Sequence, residues 1–292
     1  MNKLLPFAVC VAACVSASPN GDAGLQRRAR EIHERVVTID THDDIPFNYA
    51  SSEVNACGQT RLQVDVPKMV AGGLDVAFLI VYVGQGPRTG DGYAKAKQDA
   101  LTKFHAIHRM TEEMCPQAIA LAQSADEVER VARSGKRVAA IGIENGYVIG
   151  KDLSLLKQYH ELGARYMTLA HGGHNDIADS ATPRANEPAS EHDGLSRFGE
   201  QVVAEMNRVG IMVDVSHISK AAMMDAVRVS RAPVIASHSS ARAVADHPRN
   251  MDDEQLLALK ANGGVMQAVA FASSVKLQPQ DRQDAVAALR QK

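Results

Sequence analysis

Residues 211–240 read IMVDVSHISKAAMMDAVRVSRAPVIASHSS. Two runs rich in Val and Ile, Ile211–Ser216 and Pro233–Ser237, lead straight into His217 and His238, so that each strand end carries a Ser-His pair. Neither run alternates apolar with polar residues, which is the pattern of a strand covered on both faces. Between them Ser219 is placed to cap a helix over Lys220–Val229, and Pro233 opens the second strand. A strand, a helix and a second strand, with an imidazole after each strand, is the repeating unit of a parallel sheet.

The alternation extends in both directions. Candidate strands Val36–Thr41, Leu74–Val83, Val138–Glu144, Ala164–Ala170 and Gly264–Phe271 join the first two to make seven. Ser196 is placed to cap a segment whose Phe198, Val202, Met206 and Val209 recur at helical spacing before Gly210 ends it. Asp252, with Gln255 three residues on, forms a capping box for a helix over Asp253–Ala261 that Gly263 closes. Seven strand-helix units favour an α/β fold of the (β/α)8, TIM-like barrel type over an open doubly wound sheet, and no GxGxxG follows the first strand. Beyond Phe271 the chain runs through SSVKLQPQDRQ and a short amphipathic helix to Lys292, so the eighth strand that such a barrel needs is not recognisable.

Length allows one large domain or two small ones, and an α/β barrel commonly runs to roughly 250 residues as a single unit. Of 292 residues 45% are apolar and 23% charged, which excludes a disordered chain. With 32 Lys and Arg against 34 Asp and Glu the net charge is −2, so nothing favours a nucleic-acid partner. The beginning, MNKLLPFAVCVAACVSASPN, reads as an export signal over residues 1–17: Lys3 supplies the charge, and Leu4–Ala13 an apolar stretch too short to span a bilayer. Val15-Ser16-Ala17 offers a cleavage site for a periplasmic product. Val11-Ala12-Ala13-Cys14 offers a lipoprotein box instead, with a lipid anchor on Cys14. The barrel domain then covers residues 25–292. Cys57 and Cys115 remain, and in an oxidising compartment they are either a disulfide or two unpaired thiols.

In a parallel barrel the active-site residues project from the C-terminal ends of the strands. Those ends carry His42 and Asp44, Glu144, His171, His217 and His238. One such histidine is usually structural; this many ligand-type residues on one rim are not. In extended backbone residues i and i+2 share a face, so His42 and Asp44 can meet one ion while Asp43 points away. Glu144 ends an apolar run, where a carboxylate needs a cation or hydrogen-bond donors to offset its desolvation. Imidazole with carboxylate suits zinc better than calcium or magnesium. A two-metal site of this kind, with Glu144 bridging, holds hydroxide at neutral pH and polarises a carbonyl. His171, in His-Gly-Gly-His-Asn, is placed to stabilise an oxyanion, and Arg249, in His-Pro-Arg-Asn, to hold a carboxylate bidentately.

The motifs IDTHDDIP, GIENG, RYMTLAHGGHND, GLSRFGEQVVAEMNRVGIMVDVSHIS, PVIASHSSARAVADHPRN and GGVMQAV follow one another between Ile32 and Phe271. In that order they resemble the membrane (renal-type) dipeptidases, a metallopeptidase family of the amidohydrolase-like barrels. The resemblance implies a dipeptidase with two zinc ions, one held by His42, Asp44 and Glu144 and the other by Glu144, His217 and His238. It implies attack of metal-bound hydroxide on a dipeptide, with His171 polarising the substrate and Arg249 binding its free carboxylate; a homodimer is a further expectation. The chain departs from the family where Glu144-Asn145-Gly146-Tyr147 replaces Glu-Gly-Gly-His, and where Gly173 replaces a cysteine. No Gly-x-Asp-Phe-Asp-Gly segment follows Phe271, so the barrel is expected to be incomplete. The rival expectation is a catalytically impaired or non-catalytic metal-binding fragment.

Overall fold

The computed structural model describes residues 19–277 and 279–290, so the leader-like residues 1–17, Cys14 among them, lie outside the described residues. The chain divides into two compact units, residues 1–37 and 38–292. The first contains helix α1 (Pro19–His33), whose surface includes an Arg27–Glu31 pair one turn apart.

The second unit is built on strands β1 (Ile39–Asp44), β2 (Val76–Tyr82), β3 (Ile119–Leu121), β4 (Arg137–Glu144), β5 (Ala164–Thr168), β6 (Met212–Asp214), β7 (Ile235–Ser239) and β8 (Val265–Ala268). Seven of them run parallel in the order β1-β2-β4-β5-β6-β7-β8 and curve into a nearly closed barrel. Among the described residues no strand joins β8 to β1. The seven are the strands expected from sequence. The addition is β3, which pairs with the first residues of β4 off the main path. Three residues are too few to show a period, which is why no sequence pattern marks it.

Helices α2 (Val66–Gly72), α3 (Gly90–His108), α4 (Ala125–Arg133), α5 (Ser154–Glu161), α6 (Arg197–Val209), α7 (Lys220–Val229), α8 (Asp253–Asn262), α9 (Ala272–Val275) and α10 (Gln280–Arg290) complete the unit. The expected caps form. Ser196 accepts from the Gly199 amide, Ser219 from Ala222, and Asp252 exchanges bonds with Gln255. Gly210 and Gly263 end their helices at φ of 90° and 79°, which only glycine adopts freely.

Two local irregularities aim the site. Between Asp40 and Asp43 strand β1 advances three residues while β2 advances two, from Ala77 to Leu79. Strand β7 does the same against β8, between Ala236 and Ser239. Each extra residue is a β-bulge, which turns side chains off the regular pleat. His42 lies in the first bulge and His238 in the second. So His42 and Asp44 belong to β1 itself, three residues later than the sequence boundary, and Asp43 carries a buried carboxylate oxygen with no hydrogen-bond partner.

The core is continuous through β4, where every residue after Arg137 is buried. Gly142 within it is a packing requirement, because a Cβ there would lie 2.2 Å from the Tyr166 ring. Outside the barrel Cys57 and Cys115 form a disulfide, the first of the two states open from sequence. It ties the segment after β1 to the end of a π-helical turn, Arg109–Met114, that continues α3, and Arg109 in that turn also donates to the Ala50 carbonyl at 2.7 Å.

Candidate metal centre

A cleft of about 610 Å³ opens at the C-terminal ends of the strands, and His42, Asp44, Glu144, His171, His217, His238 and Arg249 all line it. Glu144 is the centre. Its Oε1 lies 3.0 Å from His217 Nε2, 3.4 Å from His238 Nε2, and 3.6 Å from Nε2 of both His42 and His171. The imidazoles crowd one another as well: His217 and His238 Nε2 are 2.8 Å apart, and the His42 and His238 ring centroids 3.7 Å. Two sets of possible ion ligands share Glu144, one with His42 and His238, the other with His171 and His217. Asp44 sits at the rim, its side chain 65% exposed and 4.0 Å from His42 Nε2.

Hydrogen bonds behind the rings fix their tautomers. Tyr166 donates its one hydroxyl proton to the Thr41 carbonyl at 2.8 Å, so His42 Nδ1–H must donate to Tyr166 Oη at 3.0 Å. Ser237 likewise gives its proton to Asp214 Oδ2 at 2.7 Å, so His238 Nδ1–H donates to Ser237 Oγ at 2.8 Å. Both rings therefore turn an Nε2 lone pair toward a carboxylate oxygen. Acceptors facing acceptors in a buried place repel unless a cation lies between them or a proton is added. The residues present fit a metal on this ground.

Ionisation agrees. Burial acts to raise the Glu144 pKa, but the polar surroundings made by the His217, His238 and His42 rings outweigh it and hold it well below the usual carboxylate range. Burial drives His217 well down and lowers His238, against the opposing pull of Glu144, so both stay neutral donors of lone pairs. For His42 burial acts downward but is outweighed by Glu144, and the net shift is upward. His171 is lowered, by burial first, with Arg249 adding to it. Its Nδ1 lies 3.4 Å from the Tyr82 hydroxyl.

Arg249 is the positive wall of the cleft. Its guanidinium donates to the His238 carbonyl at 3.2 Å, and no carboxylate among the described residues lies within ion-pair distance. Burial lowers its pKa to about 10, so it is charged at neutral pH and open to an anionic ligand.

Several positions that shape the cleft escape a reading of strand ends. Asp214 is fully buried, and it accepts from the Ser216 and Ser237 amides and from the Thr168 and Ser237 hydroxyls. Its signal was an acid inside the apolar run IMVDVS. Tyr166 has no signal of its own, but Gly142 opposite it does. His217 adopts φ of 69°, a conformation rare for a residue with a Cβ. Asn145, directly after Glu144, adopts φ of 78°, at a cost of roughly 1 to 3 kcal/mol.

The sequence profile of the family described as membrane dipeptidase (peptidase family M19) matches residues 26–290. The chain is 40% identical to dipeptidase tcpJ of Claviceps purpurea over 70% of its own length and 48% of that protein's. It is 38% identical to dipeptidase aclJ of Aspergillus oryzae over 75% of its length and 52% of the relative's. It thus spans about half the length of these curated relatives. Among solved structures it is similar to the probable dipeptidase PvdM from Pseudomonas aeruginosa, at 29% identity and a TM-score of 0.86, covering 92% of this chain and 68% of the other.

Proposed function

This chain belongs to the membrane dipeptidase family, and from that premise we propose that the protein is a zinc-dependent hydrolase of dipeptides with a binuclear site. The convergence of His42, His217 and His238 on one oxygen of Glu144, beside an Arg249 with no carboxylate partner, carries the reading. Following the family motif, we assign His42, Asp44 and Glu144 to one ion and Glu144, His217 and His238 to the other, a division that differs from the geometric grouping of His42 with His238 and of His171 with His217. Bound there, zinc polarises a carbonyl and renders water acidic enough to ionise near neutral pH.

The chain's own residues supply the rest. Arg249 binds the terminal carboxylate of the substrate, and such a clamp in the same cleft as the Glu144 cluster favours short peptides. His171 donates from Nε2 to the carbonyl oxygen as negative charge develops there, its Nδ1 side facing Tyr82. Glu144 stays ionised and anchors the cluster.

The leader-like residues 1–17 and the Cys57–Cys115 disulfide support an exported protein, periplasmic or anchored through a lipid on Cys14. Mass analysis of the mature N-terminus distinguishes cleavage after Ala17 from acylation of Cys14. A homodimer remains the expectation for the family, checked by sedimentation.

Hydrolysis of dipeptides by the full-length protein, abolished by a chelator and restored by zinc, is the expected result, with Arg249→Met raising KM. Failure to cleave any dipeptide with zinc bound would favour the non-catalytic metal-binding reading.

A further inference from the structure

Glu144 is followed by a residue that departs from the family pattern, and its side chain is not idle. Asn145 is fully buried at the end of β4 and holds a positive-φ backbone conformation that glycine reaches more readily than a residue with a Cβ. Its Nδ2 donates to the Val83 carbonyl just past β2 at 3.0 Å. Its Oδ1 accepts from the Tyr147 amide at 3.2 Å and from Asn175 Nδ2 at 3.2 Å. Asn175, also buried, donates in turn to the Leu169 carbonyl just past β5 at 2.8 Å, while its Oδ1 accepts from the Ile177 and Ala178 amides.

Two amides thereby join the C-terminal ends of three neighbouring strands, each within two residues of a cleft-lining side chain: Tyr82, Glu144 and His171. We propose that Asn145 is a positioning residue, which with Asn175 forms a buried amide clasp that sets the spacing of Tyr82, Glu144 and His171 across the cleft. The clasp rests on the reading of Glu144 as the shared metal ligand only for its functional consequence; its geometry stands apart from it. Glycine would relax the backbone here but delete the links to β2, to Asn175 and to Tyr147. Retaining a strained asparagine makes sense only if those links matter.

The test is Asn145→Gly in the full-length protein, a change the backbone accepts. Zinc affinity is measured by competition with a chromophoric chelator, thermal unfolding is followed on the metal-free form, and amide exchange is followed at Tyr147 and at the ends of β2 and β5. The expected result is zinc affinity roughly 10- to 100-fold weaker, the range for loss of an outer hydrogen-bond partner. The metal-free form should unfold at a lower temperature, because the Val83 carbonyl and the Tyr147 amide lose their buried partner, with faster exchange at Tyr147 and the two strand ends. Zinc affinity within twofold of wild type would overturn the functional role. Should the wild type bind no zinc, the metal reading fails, and the clasp is judged on exchange alone: unchanged protection in Asn145→Gly overturns it.

Discussion

Strands β4 and β8 read alike in sequence, as short apolar runs of a parallel sheet, yet they meet opposite conditions in the fold. Strand β4 is paired along both edges, with β2 on one side and β3 and β5 on the other. Ile141 and Ile143 are completely buried within it. Strand β8 is paired with β7 alone among the described residues, and its Val265 is 50% exposed. Apolar composition states what a strand can bury; its neighbours decide what it does bury. The acid at the centre of the cleft stands at the end of the enclosed strand. The last residues of the cleft wall, Val269, Phe271, Ser273 and Ser274, follow the open one.

The sharpest way to break this contrast is at the end of β4. Glu144→Gln keeps the shape and removes the charge that four imidazoles face, so zinc affinity should fall by more than roughly 100-fold, beyond what outer-sphere changes cost. Equilibrium dialysis with metal analysis checks it, and wild-type zinc content in the variant would remove Glu144 from the centre. Next in size is the core of the strand itself. Ile143→Ala should cost about 2 to 5 kcal/mol in urea unfolding, the range for a buried isoleucine that leaves a cavity. Val265→Ala in β8 should cost about 0.5 kcal/mol or less, as at a surface position. Equal losses at the two sites would mean that β8 is covered in solution.

A smaller effect tests the enclosed half from its flank. Asp65 caps α2 and accepts from Lys68 Nζ at 2.8 Å and from the Thr60 and Lys68 amides. Burial acts to raise its pKa, but these bonds outweigh it and hold the carboxyl at about 2, below its ordinary 3.8. With the folded value depressed, its contribution is complete above pH 3.8 and is lost as the pH falls toward 2. Asp65→Ala should cost about 1 to 2 kcal/mol at neutral pH, as for loss of a cap. The difference from wild type should shrink in acid unfolding over that window; a constant difference would assign the effect to packing.

How far the sequence reached follows from the length scale of each signal. The caps at Ser196, Ser219 and Asp252 are legible because capping is a matter of three or four adjacent residues. The ligand-type side chains are legible because a parallel barrel sends the ends of its strands to one rim. The bulges at His42 and His238 are not, since they are a mismatch between two strands and neither strand shows it alone. The same holds for the clasp of Asn145 and Asn175, thirty positions apart. It holds too for the imidazole grouping, in which His171 comes as near to Glu144 as His42 does. Asp214 stands between these cases, visible as an oddity in an apolar run but without a partner until Ser237 is placed beside it.

Gly142 contributes no atom to the cleft, yet the proton on His42 depends on it. The hydrogen on its Cα leaves the space that the Tyr166 ring fills, and that ring keeps the imidazole of His42 in the tautomer whose lone pair faces Glu144. A single methyl group at this position would evict the tyrosine. An inherited change of glycine to alanine, mild on paper and out of reach of any substrate, would silence the centre from behind.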